Sequence, residues 1–223
     1  MRPATKRRLA FLGGFALYFG ALWLLWDSPV VYPLKVFVVL LHEVSHAVAL
    51  VATGGSLDRI VLDPHQGGAT WGRGGIAFVT LSAGYLGSLG WGSLLVTGAR
   101  ARRPPPGLVT GVVGGAVVAL TLLYIRSTFG IVFGLLFGTA LVLAARHLSA
   151  LWNRRILLTL GLTSCLYAVL DVKSDVLDRP ELPSDAHMLA ELTGVPTVVW
   201  GILWIGIALG VSWLLFRKAW REA

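Results

Sequence analysis

Leu40-Leu41-His42-Glu43-Val44-Ser45-His46-Ala47-Val48 places three ionisable groups inside an otherwise apolar run from Val36 to Ala52. On a helix, positions 42 and 46 lie one turn apart on the same face, so two imidazoles can bind one metal ion while Glu43 points beside it. That is the geometry of a zinc hydrolase. The competing explanation is a set of satisfied polar residues in a packed core. Burying a carboxylate and two imidazoles among apolar groups is costly unless they are paired or bound to metal, and ionisable groups inside membrane spans are rare and functional.

Outward from this stretch the chain stays apolar. Its 223 residues are 56% hydrophobic and 13% charged, with a mean hydropathy of +0.75, whereas soluble domains carry about a quarter charged residues. Runs long enough to span a bilayer occur near 9–26, 36–52, 76–98, 108–125, 129–145, 156–170 and 195–216. The fold class expected is an all-α polytopic membrane protein with six or seven transmembrane helices, forming a single membrane-embedded domain over residues 1–223. The basic segment Lys6-Arg7-Arg8 precedes a run too long for a signal-peptide core, so the first run reads as a retained span.

The net charge of +8 sits in arginine clusters beside the spans, at 2–8, 100–103, 146–155 and 217–221. Juxtamembrane charge of this kind is the positive-inside signal and a contact for anionic lipid, which makes the bilayer a partner and gives nucleic-acid binding no support. Cys165 is a single cysteine within an apolar run, so no intramolecular disulfide forms. The arginine-rich, lysine-poor usage points to a bacterial source, hence to a multi-pass protein of the plasma membrane.

After the metal-binding run, Thr53-Gly54-Gly55 ends the helix, and a polar, glycine-rich stretch near 56–75 with a turn at Asp63-Pro64-His65-Gln66-Gly67-Gly68 reads as a β-hairpin. An open strand edge could pair with an extended substrate; an ordinary surface loop is the equal alternative. The segment Ser82 to Gly92 repeats small residues every three or four positions, which suits a helix packed directly against the metal-binding span. Gly111-x-x-x-Gly115 and Gly130-x-x-x-Gly134-x-x-x-Gly138 are further helix-packing signatures.

Catalytic zinc takes three protein ligands and leaves one position for water. The sixth run ends in Leu170-Asp171-Val172-Lys173-Ser174-Asp175. Asp171, deeper toward the membrane, is the preferred third ligand; Asp175, one turn on, is the alternate or a group orienting a histidine. His65 reads as a solvated loop residue. The acidic loop near 171–194 contains Ser184-Asp185-Ala186, where Ser184 or Asp185 can cap a short helix. One inconsistency concerns topology. Seven full crossings would strand the N-terminal basic cluster on the side opposite the other three, so one run between Pro29 and Gly98 is expected not to cross completely.

His42-Glu43-Val44-Ser45-His46 in a span, the following Thr53-Gly54-Gly55 and hairpin, the Gly84-Tyr85-x-Gly87-Ser88 helix and the late Asp171 together resemble the site-2 protease family of intramembrane zinc metalloproteases. The resemblance runs from about Lys35 to Trp204. It is strongest to a compact branch with a Ser-Asp-Ala segment after the last ligand, here Ser184-Asp185-Ala186. The Asn-Pro-Asp-Gly or Leu-Asp-Gly motif that carries the third ligand in better-known members does not occur.

The resemblance implies an endopeptidase that cuts membrane-protein substrates within or beside the bilayer. His42, His46 and Asp171 would hold Zn²⁺, with Glu43 as general base. A membrane metal transporter and a catalytically silent scaffold are the alternatives. The intact Glu43 argues against the scaffold, and metal uptake by proteoliposomes separates the transporter.

Overall fold

The computed structural model describes residues 3–26, 28–173, 175–176 and 183–222. Eight helices and one two-stranded sheet occur among them: α1 Pro3–Leu24, α2 Tyr32–Ala52, β1 Ser56–Leu62, β2 Gly68–Arg73, α3 Ala77–Arg100, α4 Pro106–Tyr124, α5 Thr128–His147, α6 Ala150–Lys173, α7 Asp185–Thr193 and α8 Thr197–Glu222. Six of these helices are long and apolar enough to cross a membrane, and α1 carries a shorter apolar portion at Leu12–Leu24. The all-α polytopic fold read from hydropathy is therefore the fold observed. Asp27 and residues 177–182 of the acidic loop lie outside the described residues.

The elements end where local chemistry ends them. Pro33 sits in the first turn of α2, where its missing N–H costs nothing. Ser184 caps α7 by accepting from the His187 amide at 3.3 Å, as its position in the sequence predicted. Gly194 closes α7 with φ +72°, a left-handed residue that favours glycine. α6 begins earlier than hydropathy predicted, at Ala150. There the buried Nδ2 of Asn153 lies within hydrogen-bonding distance of the carbonyls of Ala144, Leu148 and Ser149, tying the end of α5 to the start of α6.

Small residues set the helix spacing. A Cβ on Gly92 would lie 2.8 Å from the Gly161 carbonyl oxygen, and one on Gly161 would lie 2.7 Å from that of Gly92, so α3 and α6 meet backbone to backbone. Gly138 and Gly114 join α5 to α4 in the same way, whereas Gly115 faces open space. The other face of α3 turns to α2, with Gly84 against His42 and Gly87 against Ser45. This is the direct packing that its small-residue face predicted.

Contacts along the helices define their directions. Tyr18 donates to the Thr159 carbonyl at 3.1 Å and Trp26 packs on Tyr167 at 5.9 Å, so α1 runs parallel to α6. Ser164 donates to the Ser88 carbonyl while Gly161 meets Gly92, so α3 is antiparallel to α6. Gly201 packs on Val176 and Phe216 on Phe15, so α8 is antiparallel to both α6 and α1. α1 therefore ends at the end of the bundle where α3 begins. The chain thus leaves α1 and enters α3 at that same end, with α2 and the hairpin between them.

The hairpin is antiparallel, with Ile60 opposite Thr70 and Leu62 opposite Gly68. It folds back along α2 instead of projecting away. Its base lies at Leu50, and its turn reaches Tyr32, whose hydroxyl donates to the Pro64 carbonyl at 2.7 Å. The outer edge of β1 is partly taken: the Arg126 amide donates to the Ile60 carbonyl at 3.0 Å, and Ser127 bonds both backbone groups of Leu62.

Candidate metal centre

The i, i+4 spacing on α2 brings the His42 and His46 rings within 4.7 Å, centroid to centroid. Both Nε2 atoms lie 3.0 Å from a single oxygen, Oδ2 of Asp185, at the start of α7. Among the described residues these three form a cluster whose ligand atoms all lie within 4.8 Å of one another. Gly84 of α3 makes the convergence possible, because any Cβ there would collide with His42 Nε2 and Asp185 Oδ2.

The far side of each ring is also held. His46 Nδ1 lies 2.7 Å from the Thr80 carbonyl; a carbonyl only accepts, so Nδ1 carries a proton, and Nε2 is the nitrogen turned toward Asp185. His42 Nδ1 faces Asp171 Oδ2 at 3.6 Å. Carbonyl and carboxylate partners behind imidazoles are the usual outer support of a metal site. Burial tends to raise the Asp185 carboxyl, but hydrogen bonds and charge from His42 and His46 outweigh it and hold the group well below the usual carboxylate range.

Glu43 lies beside the cluster. Thr70 of β2 sits with its hydroxyl 2.7 Å from Glu43 Oε2 and 2.9 Å from the Glu43 carbonyl. Gly68 passes so close that a Cβ there would lie 2.6 Å from Glu43 Oε1. The hairpin turn, the active face of α2, the first turn of α3, the end of α6 and the start of α7 enclose a cavity of about 790 Å³ over these groups.

Of the residues singled out from sequence, His42, Glu43 and His46 are brought together here. Asp171 and Asp175 both line the cavity but do not meet the Nε2 atoms. Asp171 stands behind His42, and Asp175 accepts a hydrogen bond from Tyr85 at 2.6 Å. His65 is 92% exposed and pairs with Asp63 at 3.0 Å, the solvated turn residue expected. From sequence alone Asp185 is a possible helix cap. Its signal in the sequence was the Ser184-Asp185-Ala186 segment together with Leu189, since Ala186 and Leu189 are fully buried and commit this face of α7 to the interior.

A profile of the family described as Peptidase M50B-like matches residues 15–215. The chain belongs to the Peptidase M50B-like family. M50B-like proteins are membrane metalloproteases of the site-2 protease kind that use zinc, so the family and the six apolar helices together describe a multi-pass membrane protein. No curated protein and no solved structure matches the chain. The donor set fits the metal of an M50B-like protease. Two imidazole nitrogens and one carboxylate oxygen are the ligand types of a hydrolytic zinc site, their outer partners are in place, and a cavity adjoins them for a fourth position.

Proposed function

We propose that the chain is an intramembrane zinc endopeptidase of site-2 protease type, in which His42, His46 and Asp185 are the ligands and Glu43 is the general base. Its substrates are membrane proteins cut within or next to a transmembrane segment, and its setting is a cell membrane, as a bacterial plasma membrane. The observation that carries the reading is the meeting of both Nε2 atoms on Asp185 Oδ2 at 3.0 Å with Glu43 fixed alongside.

Zinc bound there supplies Lewis acidity to a water and to the scissile carbonyl. The chain's own residues do the rest. Thr70 holds Oε2 of Glu43 and leaves Oε1 beside Gly68 at the cavity wall. Oε1 takes a proton from the attacking water and passes it to the leaving amine, a contribution on the order of 10²–10⁴-fold. Asp171 and the Thr80 carbonyl keep the imidazoles aimed. A helical peptide bond is unreachable until its helix unwinds. The edge of β2 away from β1 offers an extended substrate segment a row of backbone partners beside Glu43.

Metal content tests the ligand set. Detergent-purified wild type should carry about one zinc per chain, Asp185→Ala and His46→Ala should carry none, and Asp171→Ala should retain a weakened site. Glu43→Gln should keep the zinc and lose cleavage; retained cleavage would remove Glu43 from the base role. Zinc uptake by proteoliposomes without proteolysis would favour a transporter instead.

A further inference from the structure

The helix directions settle which charges lie together. With α1 parallel to α6, and α3 and α8 antiparallel to it, four basic segments gather at one end of the bundle. These are the start of α1 with Lys6–Arg8, the end of α3 with Arg100–Arg103, the α5–α6 junction with Arg146–Arg155, and the end of α8 with Arg217–Arg221.

The metal cluster belongs to the other end. Asp185 opens α7 beyond the end of α6, Thr80 lies in the first turn of α3, and Asp171 lies in the last turn of α6. That end is mixed, with Asp58, Asp63, Asp175 and Glu191 beside Lys35, Arg59, Arg73, Arg126 and Lys173.

Short loops rich in lysine and arginine stay on the cytoplasmic side, and acidic residues count for little in this choice. We infer that the basic end is cytoplasmic and that the metal centre opens toward the extracytoplasmic face. The substrates are then membrane proteins whose scissile bond lies in the half of the span nearest that face. The substrate half of this inference rests on the proteolytic reading; the orientation does not.

Cysteine labelling of the full-length protein in bacterial cells tests it. In a Cys165→Ser background, single cysteines replace Glu191, whose side chain is 71% exposed on α7, and Ser149, exposed between α5 and α6. A membrane-impermeant maleimide should label Glu191→Cys in intact spheroplasts and Ser149→Cys only after lysis. The reverse pattern, or equal labelling of both before lysis, overturns the orientation. Single-span reporters carrying a susceptible segment near one face or the other complete the test. Cleavage confined to the cytoplasmic placement overturns the substrate assignment. A chain that labels as expected but cuts neither reporter fells the proteolytic reading and leaves the orientation standing.

Discussion

Glu43 is fastened by an element that sequence alone does not bring near it. The Thr70 hydroxyl has one proton and two acceptors, both on Glu43, so it fixes the side chain relative to its own backbone and leaves Oε1 for the base role proposed above. Thr70→Val removes the hydroxyl but keeps a β-branched residue suited to the strand. It should lower kcat by about 10- to 100-fold, within the range a general base contributes, with KM and bound zinc unchanged and Thr70→Ser restoring activity. A change in KM alone would instead mark Thr70 as a substrate contact. Behind His42, Asp171→Asn keeps the shape and removes the charge, and should weaken zinc affinity about 10- to 100-fold, as loss of an outer partner does; competition with a fluorescent zinc chelator reads this directly. Asp185 escaped the sequence reading because a carboxylate at a helix start is explained by capping alone, and its partner His42 lies 143 residues away. Asp171, by contrast, ends an apolar helix, a position that looks like a ligand, and it stands behind His42, 3.6 Å from Nδ1.

Helices and hairpin were legible because their signals are local: apolar runs of spanning length, a glycine-rich turn, a serine before a short amphipathic helix. What periodicity cannot encode is the path of the hairpin back along α2, since the contacts of Tyr32 with Pro64 and of Ser127 with Leu62 join distant segments. Glycine positions, however, report the helix contacts in detail. At Gly92 an added methyl meets the Gly161 carbonyl and the Cys165 amide, both backbone and unable to yield, whereas at Gly90 nothing lies within 4 Å. Gly92→Ala should therefore destabilise the fold by about 1–3 kcal/mol, the usual cost of overpacking. Gly90→Ala should be neutral or slightly stabilising, because alanine is the better helix former. Thermal unfolding of the two variants in one detergent compares them, and equal melting temperatures would refute the backbone contact between α3 and α6.

The proposed metal ligands come from α2 and α7, two elements far apart in sequence, so one ion bound there would close the polypeptide on itself. Only the folded chain brings the three donors together, and zinc should therefore stabilise it by mass action, about 2.7 kcal/mol at a hundredfold excess over Kd. Titrating zinc into metal-free protein should raise Tm by several degrees. Asp185→Asn should abolish that rise, while Asp175→Asn, whose partner is Tyr85, should retain it. The pH dependence separates the donors. Asp185 has a carboxyl held below its usual value, so its contribution to metal-free stability is present above about pH 4 and is lost only as pH falls further, through the lowered value. Between about pH 7.5 and pH 5.5 protons compete with zinc for the two imidazoles. The zinc-induced rise in Tm should accordingly shrink as pH falls across this window. A zinc-induced rise independent of pH there would mean that the histidines are not the ligands.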